Sequence, residues 1–167
     1  VLSVPAFWLY TLGPAAVLAG LFAYVTEGPF VLINQLGVPA DAFGYYHAVI
    51  VAAFISTNII VNRVASRVSG AVLLRLGSLA AVASGGLGLA LAAGDALTAY
   101  GLVVVMSLFT VSLALIYAVA PLQALASTKA ATGMAASWRG FLEMSGGMLG
   151  SAGVTALHDG TPWPLVI

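Results

Sequence analysis

Basic and acidic side chains alternate along this chain, with long apolar runs between them, and that alternation leaves very few folds open. Arg63, Arg67 and Arg75 share one short stretch, and Lys129 and Arg139 lie in or beside a second. Glu27, Asp41, Asp95 and Asp159 occupy the gaps between those places. A polytopic helical membrane protein sorts its charges in this way, because Lys and Arg loops are retained in the cytoplasm while the apolar segments thread back and forth. The pattern therefore predicts both the spans and an N-terminus on the cytoplasmic side. The one acid outside the acidic gaps is Glu143, inside an apolar run.

The composition agrees. The chain of 167 residues is 62% hydrophobic and 6% charged, whereas a soluble domain carries about 25% charged residues. A formal net charge of zero gives no basic face for a nucleic-acid partner. With no cysteine, disulfides, thiol catalysis and thiolate metal sites are excluded. The first apolar run is preceded by no Lys or Arg and is too long for the core of a signal peptide. The chain starts Val-Leu-Ser and stops as a new apolar run begins at Leu165, so it is read as a piece of a longer protein.

A spanning helix needs about 20 mostly apolar residues. Five segments qualify: residues 6–26, 43–61, 71–93, 97–119 and 132–157, with a sixth starting near Leu165. The first is expected to end at Glu27-Gly28-Pro29. Gly37-Val38-Pro39-Ala40-Asp41 is turn chemistry, with Asp41 placed to cap the second helix. Gly94-Asp95-Ala96 is a tight link that makes the third and fourth helices antiparallel neighbours. Trp8 and Trp138 fall near the inner interface and Tyr45, Tyr46, Tyr100 and Trp163 near the outer one, where amphipathic rings are favoured. The fifth segment is glycine-rich, and its Gly146 and Gly150 form a small-xxx-small pair suited to close helix packing, with a partner helix that the sequence does not identify. Gly85, Gly86 and Gly88 repeat that signal more weakly in the third.

Taken in order, several stretches resemble one family. Gly20-Leu21-Phe22-Ala23-Tyr24-Val25-Thr26-Glu27-Gly28-Pro29-Phe30-Val31, Phe43-Gly44-Tyr45, Asn62-Arg63-Val64-Ala65-Ser66-Arg67 with Leu74-Arg75-Leu76-Gly77, Pro121, Gly133-Met134-Ala135-Ala136-Ser137 with Gly140-Phe141-Leu142-Glu143, and Leu157-His158-Asp159-Gly160-Thr161-Pro162 together resemble the carboxyl half of the Bcr/CflA-type drug:proton antiporters of the major facilitator superfamily. The chain departs from that pattern at Glu27, Arg139 and Glu143, and its basic loop keeps only Asn62, Arg63 and Arg67 of the superfamily motif. The resemblance implies an all-α membrane fold that is half of a twelve-helix transporter, working by alternating access between two six-helix halves. It also implies multidrug efflux: export of small apolar or cationic drugs in exchange for protons across a bacterial inner membrane, with the amino-terminal half, the lipid bilayer, the drug and protons as partners. By that analogy the first and fourth helices line the cavity, and the fifth helps form the seam with the other half.

Glu143 lies eleven residues into the fifth segment, roughly 16 Å at helical rise and so near the midplane. A carboxylate there pairs, faces a watery cavity or holds a proton. Arg139 is one turn earlier on the same face. The two either merely neutralise each other or serve proton coupling, with Glu143 cycling its proton. Glu27 is either a solvated loop acid or an outer-mouth group that admits protons or draws cations toward the mouth. Phe22 and Tyr24 in the first helix, and Ser112, Tyr117 and Gln123 along the inner half of the fourth, are candidates for the substrate cavity, with core packing as the plainer role of each. Arg63, Arg67, Arg75 and Lys129 read as topology determinants and headgroup contacts, and a gating role for the first two rests on the resemblance. His47 and His158, with Asp41 and Asp159, match no metal-ligand spacing. No nucleophile, phosphate-loop or paired-carboxylate motif is present, so no enzymatic activity and no cofactor are expected. The competing expectation is a noncatalytic helical membrane subunit that scaffolds partners.

Overall fold

The most apolar stretch of the chain becomes the centre of the bundle, and the other helices are arranged around it. The computed structural model describes residues 4–65, 67–128 and 132–166; Lys129 lies outside them. Among the described residues the chain is all helical: α1 (Pro5–Phe30) running into a π-turn at Val31–Gln35, α2 (Phe43–Val64), α3 (Gly70–Ala93), α4 (Ala99–Tyr117), α5 (Ala120–Ala126), α6 (Thr132–Ala156) and α7 (Trp163–Val166). Four stretches are long and apolar enough to cross a bilayer: Pro5–Gln35, Phe43–Val64, Gly70–Ala93 and Ala99–Ala126. The chain is an all-α integral membrane protein. Helix α6 has the length of a span, at 25 residues, but its glycines and the Arg139–Glu143 pair lower its apolar character, and it lies against α1 rather than apart from it.

Packing fixes the direction of each helix. Tyr24 clusters with Leu102, Val17 with Leu113 and Ile116, and Phe7 with Ala124, so α1 runs antiparallel to α4 and to α5 beyond it. Ile50 packs near Leu102 and Met106, and Val61 near Val119, so α2 and α4 are parallel. The five-residue link after α3 returns the chain as α4 directly alongside it. Helix α6 runs parallel to α1, with Gly146 opposite Ala15 and Gly150 opposite Ala19. The consequence is a charge-sorted molecule. Exposed Arg63, Arg67 and Arg75 cluster around the α2–α3 connection at one end, and exposed Asp41, Asp95 and Asp159 lie at the other.

The lipid-facing and core-facing surfaces divide as hydropathy demands. Helices α2 and α3 are peripheral and present Val49, Ile55, Ile59, Leu79 and Val82 outward, which hydrocarbon accepts at no cost. Two polar groups reach between helices: the Ser84 hydroxyl of α3 donates to the Val105 carbonyl of α4 at 2.8 Å, and the Thr110 hydroxyl, which donates within α4 to the Ser107 carbonyl at 2.9 Å, also reaches the Ile50 carbonyl of α2 more weakly at 3.4 Å. Without water, an unmet hydroxyl is expensive, and a neighbouring helix carbonyl is the nearest remedy.

Three local expectations are corrected. The first helix does not stop at Glu27-Gly28-Pro29. It continues to Phe30 and widens into a π-turn in which the Leu36 N–H reaches the Val31 carbonyl at 2.9 Å. Pro29 costs a single helical hydrogen bond, and burying Val31 and Leu32 completely in the cluster around Tyr24 offsets it. Asn34 and Gln35 are thereby part of that turn rather than of an open loop. Asp41 does not cap α2: Ala42 occupies the cap, with no side-chain bond, and the Ala42 and Phe43 N–H groups are met by the Pro39 carbonyl. Gln123 does not lie on the fourth helix, which occupies Ala99–Tyr117, within the expected 97–119. Thr98 caps its start, accepting the Gly101 N–H at 3.1 Å, but the backbone leaves helical geometry at Val119 and restarts as α5 with Pro121 in the first turn, the position where a missing N–H costs nothing.

Candidate functional site

Two ionisable pairs lie along the seam between α1 and α6, one at each end of a glycine-packed stretch. The inner pair is built on α6 alone. Four residues bring Arg139 and Glu143 onto one face, with Arg139 Nε 2.8 Å from Glu143 Oε1 and Nη2 donating to Oε2 at 3.0 Å. The first of these contacts lacks hydrogen-bond alignment, so the pair is one directed bond plus a close charge contact rather than a two-bond fork. Glu143 is buried, with its side chain 6% exposed against 18% for Arg139. Tyr117, at the end of α4, brings a buried hydroxyl into reach of both, close enough to interact with the Glu143 carboxyl but without full hydrogen-bond alignment. Two further hydroxyls in the interior, Thr11 on α1 and Ser112 on α4, are fully buried and unmet. The α1–α6 register set by Ala15/Gly146 and Ala19/Gly150 places Thr11 at the level of Leu142, beside Glu143 in the chain. Buried polar groups without partners are few in native proteins and mark sites that take water or a ligand, or that rearrange.

The outer pair crosses between elements. Glu27, buried on α1, meets His158 of the turn after α6, Nδ1 to Oε1 at 2.5 Å. The imidazole also stands edge-on to Phe30, with centroids 4.6 Å apart, and Thr26 and Ser151 exchange a hydroxyl hydrogen bond at 2.7 Å just inside it. Glu27 is thus neither in a loop nor solvated, as one reading of the sequence had it. Helix α1 extends past it, and α6 covers it.

The five cavity candidates are not brought together. Tyr24 is 1% exposed, packed among Val31, Leu32, Ile50 and Leu102, with its hydroxyl 3.5 Å from His47 Nδ1 and its ring stacked on that imidazole. Phe22 is turned to the other side and lies over Gly147 of α6. Ser112 and Tyr117 are inside the bundle, whereas Gln123, expected on the fourth helix, sits on α5 and is exposed. A cavity of about 440 Å³ opens elsewhere, between α1, α3, α4, α6 and α7; its walls are mostly apolar, with Gly20, Gly85, Phe109, Leu149, Gly150 and Leu165 among them. None of the five borders it.

Over 57 residues the chain is 37% identical to a bicyclomycin resistance protein homolog of Haemophilus influenzae. That stretch is 34% of this chain and 14% of the relative, so the likeness is to a small part of a much longer protein. No family model matches the chain, and no solved structure matches it.

Two features of the site escaped sequence reasoning. The Glu27–His158 pair joins residues 131 apart, and no periodicity reports a contact of that range. Thr11 looked like any helix threonine, and only the packing of α1 on α6 and α4 shows that its hydroxyl is sealed.

Proposed function

We propose that this chain is the carboxyl half of a proton-coupled exporter of small apolar or cationic drugs, a major facilitator transporter of the Bcr/CflA type. It would sit in a bacterial inner membrane with its arginine-bearing end in the cytoplasm. The observation that carries the reading is the Arg139–Glu143 pair. A carboxylate inside the bundle must hold either a cation or a proton, and these two states suit a carrier that exchanges protons for cargo. With Glu143 ionised, Arg139 is tied to it. With Glu143 protonated, that tie weakens, and the guanidinium and the Tyr117 hydroxyl are free to take other partners. The local similarity to a bicyclomycin resistance protein homolog supports the cargo class, and the sorting of charge to the two ends of the bundle supports the orientation. The fold's pairing of α1 with α6 gives the missing amino-terminal half a continuous surface against which to rock.

The test is Glu143→Gln in the intact protein, assayed for efflux driven by an imposed pH gradient in vesicles, with bicyclomycin as the first compound of a susceptibility panel. Loss of gradient-driven efflux at wild-type protein levels is expected. Efflux that still follows the gradient would overturn the coupling role, and an intact wild-type protein that protects against no compound would overturn the exporter reading.

A further inference from the structure

We infer that Glu27 and His158 form a second proton-binding site, at the end of the α1–α6 seam opposite the arginines, which fills from the water on that side. This deepens the transport reading above and takes its orientation from it. The argument begins with access. The Glu27 side chain is 7% exposed and that of His158 is 36% exposed, so one member of the pair is sealed in protein and the other reaches water. They meet at 2.5 Å through Nδ1 and Oε1. A neutral imidazole carries a proton on one nitrogen and a lone pair on the other, which lets it receive a proton at one face and pass one on at the other. A proton taken from water at His158 Nε2 allows the Nδ1 proton to move to Glu27 Oε1. The imidazole ends neutral with its hydrogen on Nε2, the carboxyl ends neutral, and the pair's charge rises from −1 to 0. The return route releases one proton to the same water.

The surroundings isolate this exchange. Asp159 is the ionisable neighbour on the turn, and its carboxylate is already engaged by the Thr161 hydroxyl and the Thr161 N–H, which hold it below the usual carboxylate range. From α1, Thr26 faces α6 and bonds Ser151. Between Glu143 and His158, α6 carries no ionisable residue, a separation of roughly 22 Å along the helix. That interval contains Gly146 and Gly150, where the backbones of α6 and α1 touch and leave no room for a side chain. The two acid sites are therefore divided by an apolar stretch, with backbone contacts at Gly146 and Gly150 and the apolar cavity of about 440 Å³ beside Gly150. An outer site that exchanges with one compartment and an inner site behind a barrier is the arrangement a gradient-driven carrier needs, since a continuous proton path would dissipate the gradient.

The experiment uses the intact protein, labelled with nitrogen-15 in histidine and oriented in lipid vesicles, with the His158 signals assigned by their loss in His158→Asn. The imidazole signals should respond to the pH of the arginine-free compartment and ignore the pH of the other. Glu27→Gln keeps the shape but can neither ionise nor take up a proton, so it should change the pH response of the His158 signals, while Glu143→Gln leaves that response in place. Signals that do not change with pH, that track the opposite compartment, or that are indifferent to Glu27→Gln each overturn the site. Neither readout needs cargo. Failure of export with a normal His158 titration would indict the transport reading alone, and normal export with an unresponsive His158 would indict this site alone.

Discussion

Replacing Gly150 by alanine puts a single methyl group into the tightest helix contact of the molecule. A Cβ built there would meet the Ala19 carbonyl oxygen most closely of all, and would lie 2.6 Å from the carbonyl carbon and 2.7 Å from the Cα of the same residue. All are backbone atoms, so no rotamer change relieves the clash. Bringing the carbonyl carbon alone from 2.6 Å to the ordinary 3.4 Å requires α1 and α6 to separate by about 0.8 Å, and relieving the nearer carbonyl oxygen requires more. That retreat also loosens Gly146 against Ala15, one turn away. Overpacking of this kind costs about 1–3 kcal/mol, and alanine returns up to about 1 kcal/mol in helix propensity. The net expectation is a destabilisation of about 1–2 kcal/mol, a factor of roughly 5–30 in the folded ratio. The assay is reversible unfolding of the intact protein in mixed micelles. Gly153→Ala and Gly140→Ala serve as controls, since neither added methyl would meet an atom within 4 Å, and both should be neutral or slightly stabilising. Ala19→Gly should not rescue Gly150→Ala, because the clash is with the Ala19 backbone. If Gly150→Ala proved as stable as Gly153→Ala, the parallel α1–α6 packing described above would be wrong.

Other outcomes follow from the same structure. Arg139→Ala leaves the Glu143 carboxylate buried without its cation and should cost about 3–5 kcal/mol in the same unfolding assay, whereas the double change Arg139→Leu with Glu143→Met should recover most of that loss. Asp95 holds a left-handed backbone, with φ at 50°; Asp95→Gly should be neutral or stabilising, and Asp95→Val should lower stability by about 1–2 kcal/mol, seen as a shift in the unfolding midpoint. Compartment-specific reporters fused beside Arg67 and beside Asp95 should report opposite sides of the membrane. The same side for both would refute the threading of α3.

Much of the fold class was legible before any coordinates, and the site much less so. The alternation of basic and acidic places, with apolar stretches of span length between them, demands helices that cross a bilayer, because nothing else satisfies the backbone there. Gly146 and Gly150 announced a close helix contact without naming the partner, which the packing shows to be Ala15 and Ala19 of α1. Local turn chemistry misled where burial outweighed it. Gly28-Pro29 looks like a helix stop, yet the helix passes through because Val31 and Leu32 gain full burial beyond it. Likewise, five polar and aromatic residues on two expected helices looked like one cavity wall, but Phe22 and Tyr24 diverge around α1, and the break at Val119 carries Gln123 out to the surface.

The sequence by itself determined that the chain is helical, that it lies in a bilayer, and that Arg139 and Glu143 share a helix face, because hydropathy, charge placement and a four-residue spacing are local properties. Only the tertiary structure decided that Glu27 is buried against His158, that the α1–α6 seam is closed by two glycines, and that Thr11 and Ser112 keep unmet hydroxyls in the interior. Those facts depend on which helix lies beside which, and at what height. Dispersion and close packing between helices settle that, and they leave no period in the sequence to read.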